Sequence, residues 1–392
     1  MSEVIFATHR PPWPLDNGAR IRTARLAQTL SEMVDLTLVT FADGPTYDDT
    51  GASRGDLESL LPRARLELVR FEPRGAPAGR EVGQLESHTW GTYATPGFRA
   101  ALSRLAREHP DAVLHLDSPG AGLAGLGLAA GRTVYGAHNI EHRIWRDVAW
   151  RRPASDRQYI EIEWRKIQME EVRCWREADV CTAVSEVDAE IMRACGARRV
   201  AICPNGTDAP DPLPAASPPV GRPLRLLFVG WAAHWPYEHG LAWLVQEVLP
   251  QAQGLGPVVL DVVGARPAHP VGGPGVTYHD RVVDIEPFYA QAHAVIVPMF
   301  EGSGTRLKVI EASFLGRPVI STAVGVQGLP LRPGEHYLHA ETAAEWVAAI
   351  ERVRTGMAID LPVKARRALR GYTWPRIAAG LADLYRELLG GA

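Results

Sequence analysis

Cysteine is scarce in this chain. Four occur in 392 residues, Cys174, Cys181, Cys195 and Cys203, and none forms a C-x2-C pair. That spacing argues against a zinc knuckle, and no metal site is expected. Four thiols in a long chain fit reduced cysteines better than a disulfide framework. Positive charge is not in excess either. The formal net charge is −3, so no broad basic field attracts nucleic acid. The N-terminus lacks a basic start followed by an apolar stretch. No run of about 18 apolar residues occurs, so no transmembrane segment is expected. These absences set a cytoplasmic location as the expectation and leave peripheral membrane contact open. No G-x-G-x-x-G follows the first apolar run, which argues against a dinucleotide-dependent oxidoreductase.

What is present is ordinary globular composition, 46% hydrophobic and 22% charged. The length suggests two domains. Short apolar runs alternate with helical patterns. Val4–Thr8, Leu36–Thr40, Val113–Leu116, Thr133–Tyr135, Val180–Val184 and Val200–Ile202 read as strands. After a stretch holding Pro210, Pro212, Pro214, Pro218, Pro219 and Pro223, the alternation restarts with Leu226–Val229, Val258–Val263, Val295–Val297 and Val319–Ile320. Uniformly apolar strands separated by helices indicate parallel sheets covered on both faces. The fold class is therefore α/β, with two doubly wound, Rossmann-like domains. Expected bounds are 1–208, a stiff Pro-rich linker at 209–223, 224–373, and a C-terminal amphipathic helix at 374–392. That helix either completes the second domain or crosses back to the first. The Gly- and Pro-rich stretch from Glu72 to Thr95 reads as a long loop.

The chemistry concentrates in residues 294–322, AVIVPMFEGSGTRLKVIEASFLGRPVIST. A strand ends at Pro298, and the glycines of Glu301-Gly302-Ser303-Gly304 let backbone approach a ligand. Thr305 reads as the N-cap of a helix from Arg306 to Leu315, closed by Gly316 and Pro318. Its N-terminal amides suit phosphate. Arg306 and Lys308 in the first turn oppose the helix dipole unless an anion binds there. Glu311 shares a face with Lys308, and its carboxylate can accept both hydroxyls of a ribose cis-diol. Leu307, Ile310 and Phe314 form the expected core stripe. The competing interpretation is a plain core helix with a surface Lys308–Glu311 pair.

At these residues the chain resembles the retaining, family-four glycosyltransferases (glycosyl transferases group 1) of the GT-B fold. Further segments fall in the matching order: Asp16-Asn17-Gly18 before a helix with Arg20 and Arg22, then His138-Asn139-Ile140-Glu141. Pro204-Asn205-Gly206, Phe228-Val229-Gly230 and Gly325-Val326-Gln327-Gly328-Leu329 follow. The resemblance implies an interdomain cleft with a nucleotide-sugar donor in the second domain and an acceptor in the first. It implies that Glu311 binds the nucleotide ribose and that His138 contacts the transferred sugar. Gly18, Gly230, Gly302, Ser303, Gly304, Thr305 and Leu307 are the implied donor-site neighbours, and the base is expected near Val282 and Val283. The chain departs from the family in two places. Ser303 stands where a sugar-contacting Glu is usual, with Glu301 two residues away. Trp231 and His239 stand where an Arg and a Lys usually hold the diphosphate. Arg306 and Lys308 are the expected replacements.

Asp117 and Ser185, each ending a strand, read as caps of the helices that follow. The run Arg143–Arg152, with Trp145 and Trp150, reads as a solvated helix with aromatic anchors, with an anionic acceptor or a membrane surface as the alternative. With no D-x-D motif, leaving-group charge falls to Arg306, Lys308 and helix amides, and no cofactor is implied. The expected activity is metal-independent hexosyl transfer with retention, from a UDP- or GDP-sugar to a small natural product or glycan. A GT-B sugar-nucleotide 2-epimerase is one rival, distinguished by an epimer formed without acceptor. A non-catalytic nucleotide-sugar-binding subunit is another, distinguished by binding without turnover. The oligomeric state stays open, a homodimer among the options.

Overall fold

The computed structural model describes residues 2–43, 53–72, 86–128, 132–151, 154–208, 210–214, 219 and 221–390. The loop expected from Glu72 to Thr95 lies partly outside them, as do the side chains of Arg151 and Arg152. The chain divides into two compact units. One comprises residues 1–15, 19–204 and 374–392, the other 16–18 and 205–373.

The first unit is built on a seven-stranded sheet. Its strands are β1 (Glu3–Thr8), β2 (Asp35–Asp43), β3 (Arg65–Arg70), β4 (Val113–Asp117), β5 (Thr133–Gly136), β6 (Val180–Ala183) and β7 (Val200–Ile202). The order is β3-β2-β1-β4-β5-β6-β7, and every pairing is parallel. β1 and β4 run almost wholly buried, as strands covered on both faces must. The order reverses direction between β1 and β4, and a doubly wound sheet binds its ligand outside the strand ends at such a point. The helix Trp374–Leu388 folds with this unit. Its apolar stripe, Ile377, Leu381, Leu384 and Tyr385, is buried, and the Tyr385 hydroxyl lies 2.8 Å from His115 Nδ1.

The second unit carries a six-stranded parallel sheet: β8 (Leu224–Val229), β9 (Val258–Val263), β10 (Val276–His279), β11 (Ala294–Val297), β12 (Val319–Ser321) and β13 (Leu338–His339). The order is β10-β9-β8-β11-β12-β13, so the switch point falls between β8 and β11. Alternate residues feed alternate faces. Leu226, Phe228, Leu260, Val262 and Ile296 pack with Trp346 on one side. Leu227, Val263, Val295 and Val297 pack with Tyr289, Val309 and Ile310 on the other.

The Pro-rich stretch does not float between elements where it is described. Leu213 N–H donates to Leu315 O at 3.2 Å. The buried Arg317 guanidinium donates to Pro214 O at 2.8 Å and to Tyr289 O at 2.6 Å. It is strapped along the second unit.

Candidate active site

In the second unit the loop after β11 and the helix behind it have a geometry finer than the sequence pattern. Gly302 and Gly304 take φ values of 138° and 76°, a region that β-carbon-bearing residues avoid. The helix runs Leu307–Phe314, with Arg306 as its extended N-cap and no side-chain cap bond. Thr305 is therefore not the cap. Its hydroxyl and carbonyl instead accept from Asn205 Nδ2 at 2.9 and 3.2 Å. The core stripe shifts too: Val309, Ile310, Ala312 and Phe314 are buried with the core, while Leu307 is half-buried.

Arg306 is buried and folds back on the loop. Its guanidinium donates to Ser303 O at 2.6 Å and Gly304 O at 2.8 Å, and Nε approaches Met299 Sδ at 2.9 Å. Those bonds hold the glycine loop in shape. Lys308 differs. Its Nζ is buried without a hydrogen-bond partner among the described residues and sits 3.6 Å from the Phe228 ring centroid and 3.7 Å from that of Tyr237. Burial pushes this ammonium well below the ordinary lysine range. The nearby Arg306 charge adds to that, and Glu311 opposes it. Two aromatic faces favour the cation, but they offer no lone pair. Glu311, half-buried on the same helix, accepts from Tyr289 Oη at 3.1 Å. Gly230 follows β8 with φ 133°, and a Cβ there would lie 3.1 Å from Lys308 Nζ.

Of the remaining donor-site candidates, Ser303 is buried, Val282 half-buried, and Val283 fully exposed. Gly18 opens the first long helix and groups by contacts with the second unit. Glu301 lies 3.6 Å from His239. His234 was not singled out by sequence reasoning. It sits in the loop after Gly230, held at about 4 by burial and by the charges of Arg306 and Lys308. Its place four residues beyond a strand-ending glycine was the available signal.

In the first unit, His138 follows β5 and its Nε2 lies 2.8 Å from Asp117 Oδ1. Thr23 donates to Asp117 Oδ2 at 2.6 Å. Asp117 is thus a buried anchor and not a helix cap. Burial would raise its carboxyl, but His138 and the Thr23 bond, with His115, hold it well below the usual range. Gly136 makes room for this group, since a Cβ there would fall 2.7 Å from His115 Nε2. Ser185 does cap its helix, accepting from Asp188 N–H at 3.1 Å. Glu141 and His142 begin the next helix, and their amides donate to Glu171 at 2.9 and 2.8 Å. On that helix Trp145 packs against the core and Trp150 is exposed. All four cysteines are free thiols, and among the described residues no helix is long and apolar enough to cross a membrane.

Known proteins place this architecture. Residues 16–210 match the family model described as Glycosyltransferase Family 4, and residues 223–355 match Glycosyl transferases group 1. The chain belongs to these glycosyltransferases: it is an enzyme of the GT-B type, built from the two family domains. Solved structures agree in fold. Sucrose-phosphate synthase from Thermosynechococcus elongatus is 20% identical with a TM-score of 0.74, and each chain is covered in full. Anabaena HepE in complex with UDP-glucose is 16% identical at TM-score 0.69, covering 99% of this chain and 100% of that one. WaaG, a glycosyltransferase involved in lipopolysaccharide biosynthesis, is 14% identical at 0.62, covering 97% and 99%. No curated protein sequence matches the chain.

Proposed function

We propose that this glycosyltransferase takes a hexose-type sugar from a UDP- or GDP-sugar and transfers it with retention, without a metal, to a small natural product or glycan. The observation that carries the reading is Lys308: a buried amine with no hydrogen-bond partner among the described residues, beside a helix N-terminus and a glycine-lined strand end. A diphosphate supplies what that amine lacks, and the helix amides add to its hold. Glu311 is the ribose ligand. The UDP-glucose complex of HepE supports UDP as the first nucleotide to try.

In the reaction, an acceptor hydroxyl oxygen bonds to the anomeric carbon as the anomeric C–O bond to phosphate breaks. The bonding pair leaves with the phosphate oxygen, which takes the acceptor proton. Lys308 and the helix amides stabilise the departing nucleoside diphosphate, Arg306 keeps the loop in register, and His138, oriented by Asp117, contacts the transferred sugar. A thermal-shift screen against UDP-, GDP- and dTDP-sugars tests the donor assignment. A rise in Tm with one of the first two is expected. Identical curves for all three nucleotides and buffer alone contradict it.

A further inference from the structure

The helices around the outer strands of the first sheet enclose a cavity that the transfer chemistry does not use. Between β5 and β6 the chain runs as two paired helices, Glu141–Arg151 and Ala154–Glu177, and the helix Glu186–Ala194 follows β6. All three line one cavity of about 340 Å³, at the small end of the range for ligand sites. Its described lining residues come from these helices and from Cys195 just beyond them, and none comes from the strand ends where β1 and β4 part.

His142 forms part of the wall and is only 6% exposed. Glu171 accepts from the Glu141 and His142 amides and lies 2.7 Å from His142 Nδ1. A carboxylate that already collects two amides is the acceptor for the ring as well. Nδ1–H therefore donates to it, and Nε2 is left to the cavity without a partner among the described residues. Arg143 lines the same cavity, half-buried, and no hydrogen bond or ion pair engages its guanidinium among the described residues. Arg146 meets Asp147, its neighbour in sequence, at 3.2 Å. No carboxylate is among the described lining residues. A charge withdrawn from water calls for a partner, and here the partner must come from outside the chain. The rest of the wall is largely apolar. Trp164 lines it, steadied by Arg165, whose guanidinium carbon lies 4.7 Å from the indole centre, and Ile191 and Ala194 extend it.

We propose that this cavity is a binding site for a small aromatic carboxylate, separate from the donor site and independent of the donor reading. A guanidinium offers two parallel N–H donors that match a carboxylate, which gives Arg143 the counter-ion it lacks. An indole beside aliphatic side chains favours a flat ring. A ring hydroxyl or ring N–H supplies the donor that His142 Nε2 lacks. Inorganic anions have no body to bury against Trp164 and Ile191, and a neutral ring has nothing to give Arg143.

The test uses the full chain and saturation-transfer NMR with 4-hydroxybenzoate, 4-hydroxyphenylacetate and indole-3-acetate, and with the neutral primary amide of each. At least one acid is expected to bind wild type, and its amide about tenfold more weakly or worse. Arg143→Gln removes the charge, and Ala194→Trp fills the cavity from an exposed position. Each should weaken the acid about tenfold or more while keeping a wild-type melting curve. Cys195 reports where the acid sits. It is the half-buried thiol at the cavity, and the other three cysteines are buried. Iodoacetamide should therefore alkylate Cys195 first, and saturating acid should slow that reaction several-fold, read by mass spectrometry. The proposal is overturned if no acid binds wild type, if the amides bind as tightly as the acids, if both variants keep wild-type affinity, or if a saturating acid leaves Cys195 alkylation unchanged.

Discussion

Lys308 concentrates the electrostatics of the second unit into one atom. Its amine is enclosed by Phe228, Tyr237 and the Gly230 backbone, with burial disfavouring the charge. The folded pKa is therefore depressed, and a bound diphosphate must raise it again. Donor binding should then take up protons at a pH above the depressed value. Calorimetry of UDP binding in buffers of different ionisation enthalpy should show that uptake in wild type and a smaller one in Lys308→Met. Gly230 is the second residue-scale test. Its φ of 133° is strained for any side chain, and a Cβ there would press on Lys308 Nζ at 3.1 Å. Gly230→Ala should cost on the order of 1–3 kcal/mol, read as a lower urea midpoint. The sequence made Gly230, Lys308 and Glu311 legible because glycine and charge pattern survive without coordinates. It could not show that Arg306 turns back onto Ser303 and Gly304, since a loop's own carbonyls leave no mark in composition. Nor did it show that Asp117 anchors His138, a contact between residues 21 positions apart.

Whole elements carry a pH signature. Glu170 pins the His88–Gly91 helix, and burial pushes its carboxyl up to about 7, although its bonds to Ser87 pull the other way. A carboxyl raised in the folded state weakens the fold as it ionises, so this contribution is present below about 4.5 and is lost as pH rises to about 7. Glu170→Gln cannot ionise. Its stability relative to wild type should therefore climb between pH 4.5 and 7, as measured by urea unfolding at several pH values, and a flat difference would contradict the burial argument. The strands divide by the same logic of surroundings. Central strands such as β1, β4 and β8 were readable because both faces are covered and the run is apolar throughout. β3 (RLELVR) and β10 (VTYH) were not, because each lies at a sheet edge, mixes polar with apolar residues and is half-buried or exposed throughout, and β13 is only two residues long; the edge strand β7 was readable because its run, VAI, is apolar.

At the scale of the molecule, the chain closes its first unit with its last helix. Tyr385 meets His115 beneath β4, and burial drives that imidazole down to about 4. Tyr385→Phe leaves a buried ring nitrogen without its partner and should cost about 1–3 kcal/mol, seen in chemical denaturation. The helical stripe of this tail was plain from its apolar spacing; the unit it completes was not, because an amphipathic face does not name what covers it. The two-unit architecture follows from strand alternation on either side of the prolines, and it ends in two switch points, one for each proposed substrate. The most direct test of the account is titration calorimetry, with the UDP- or GDP-sugar that the thermal-shift screen selects, of wild type, Lys308→Ala and Glu311→Ala. The account predicts measurable binding by wild type and at least tenfold weaker binding by each variant. Wild-type affinity retained in both variants would contradict it.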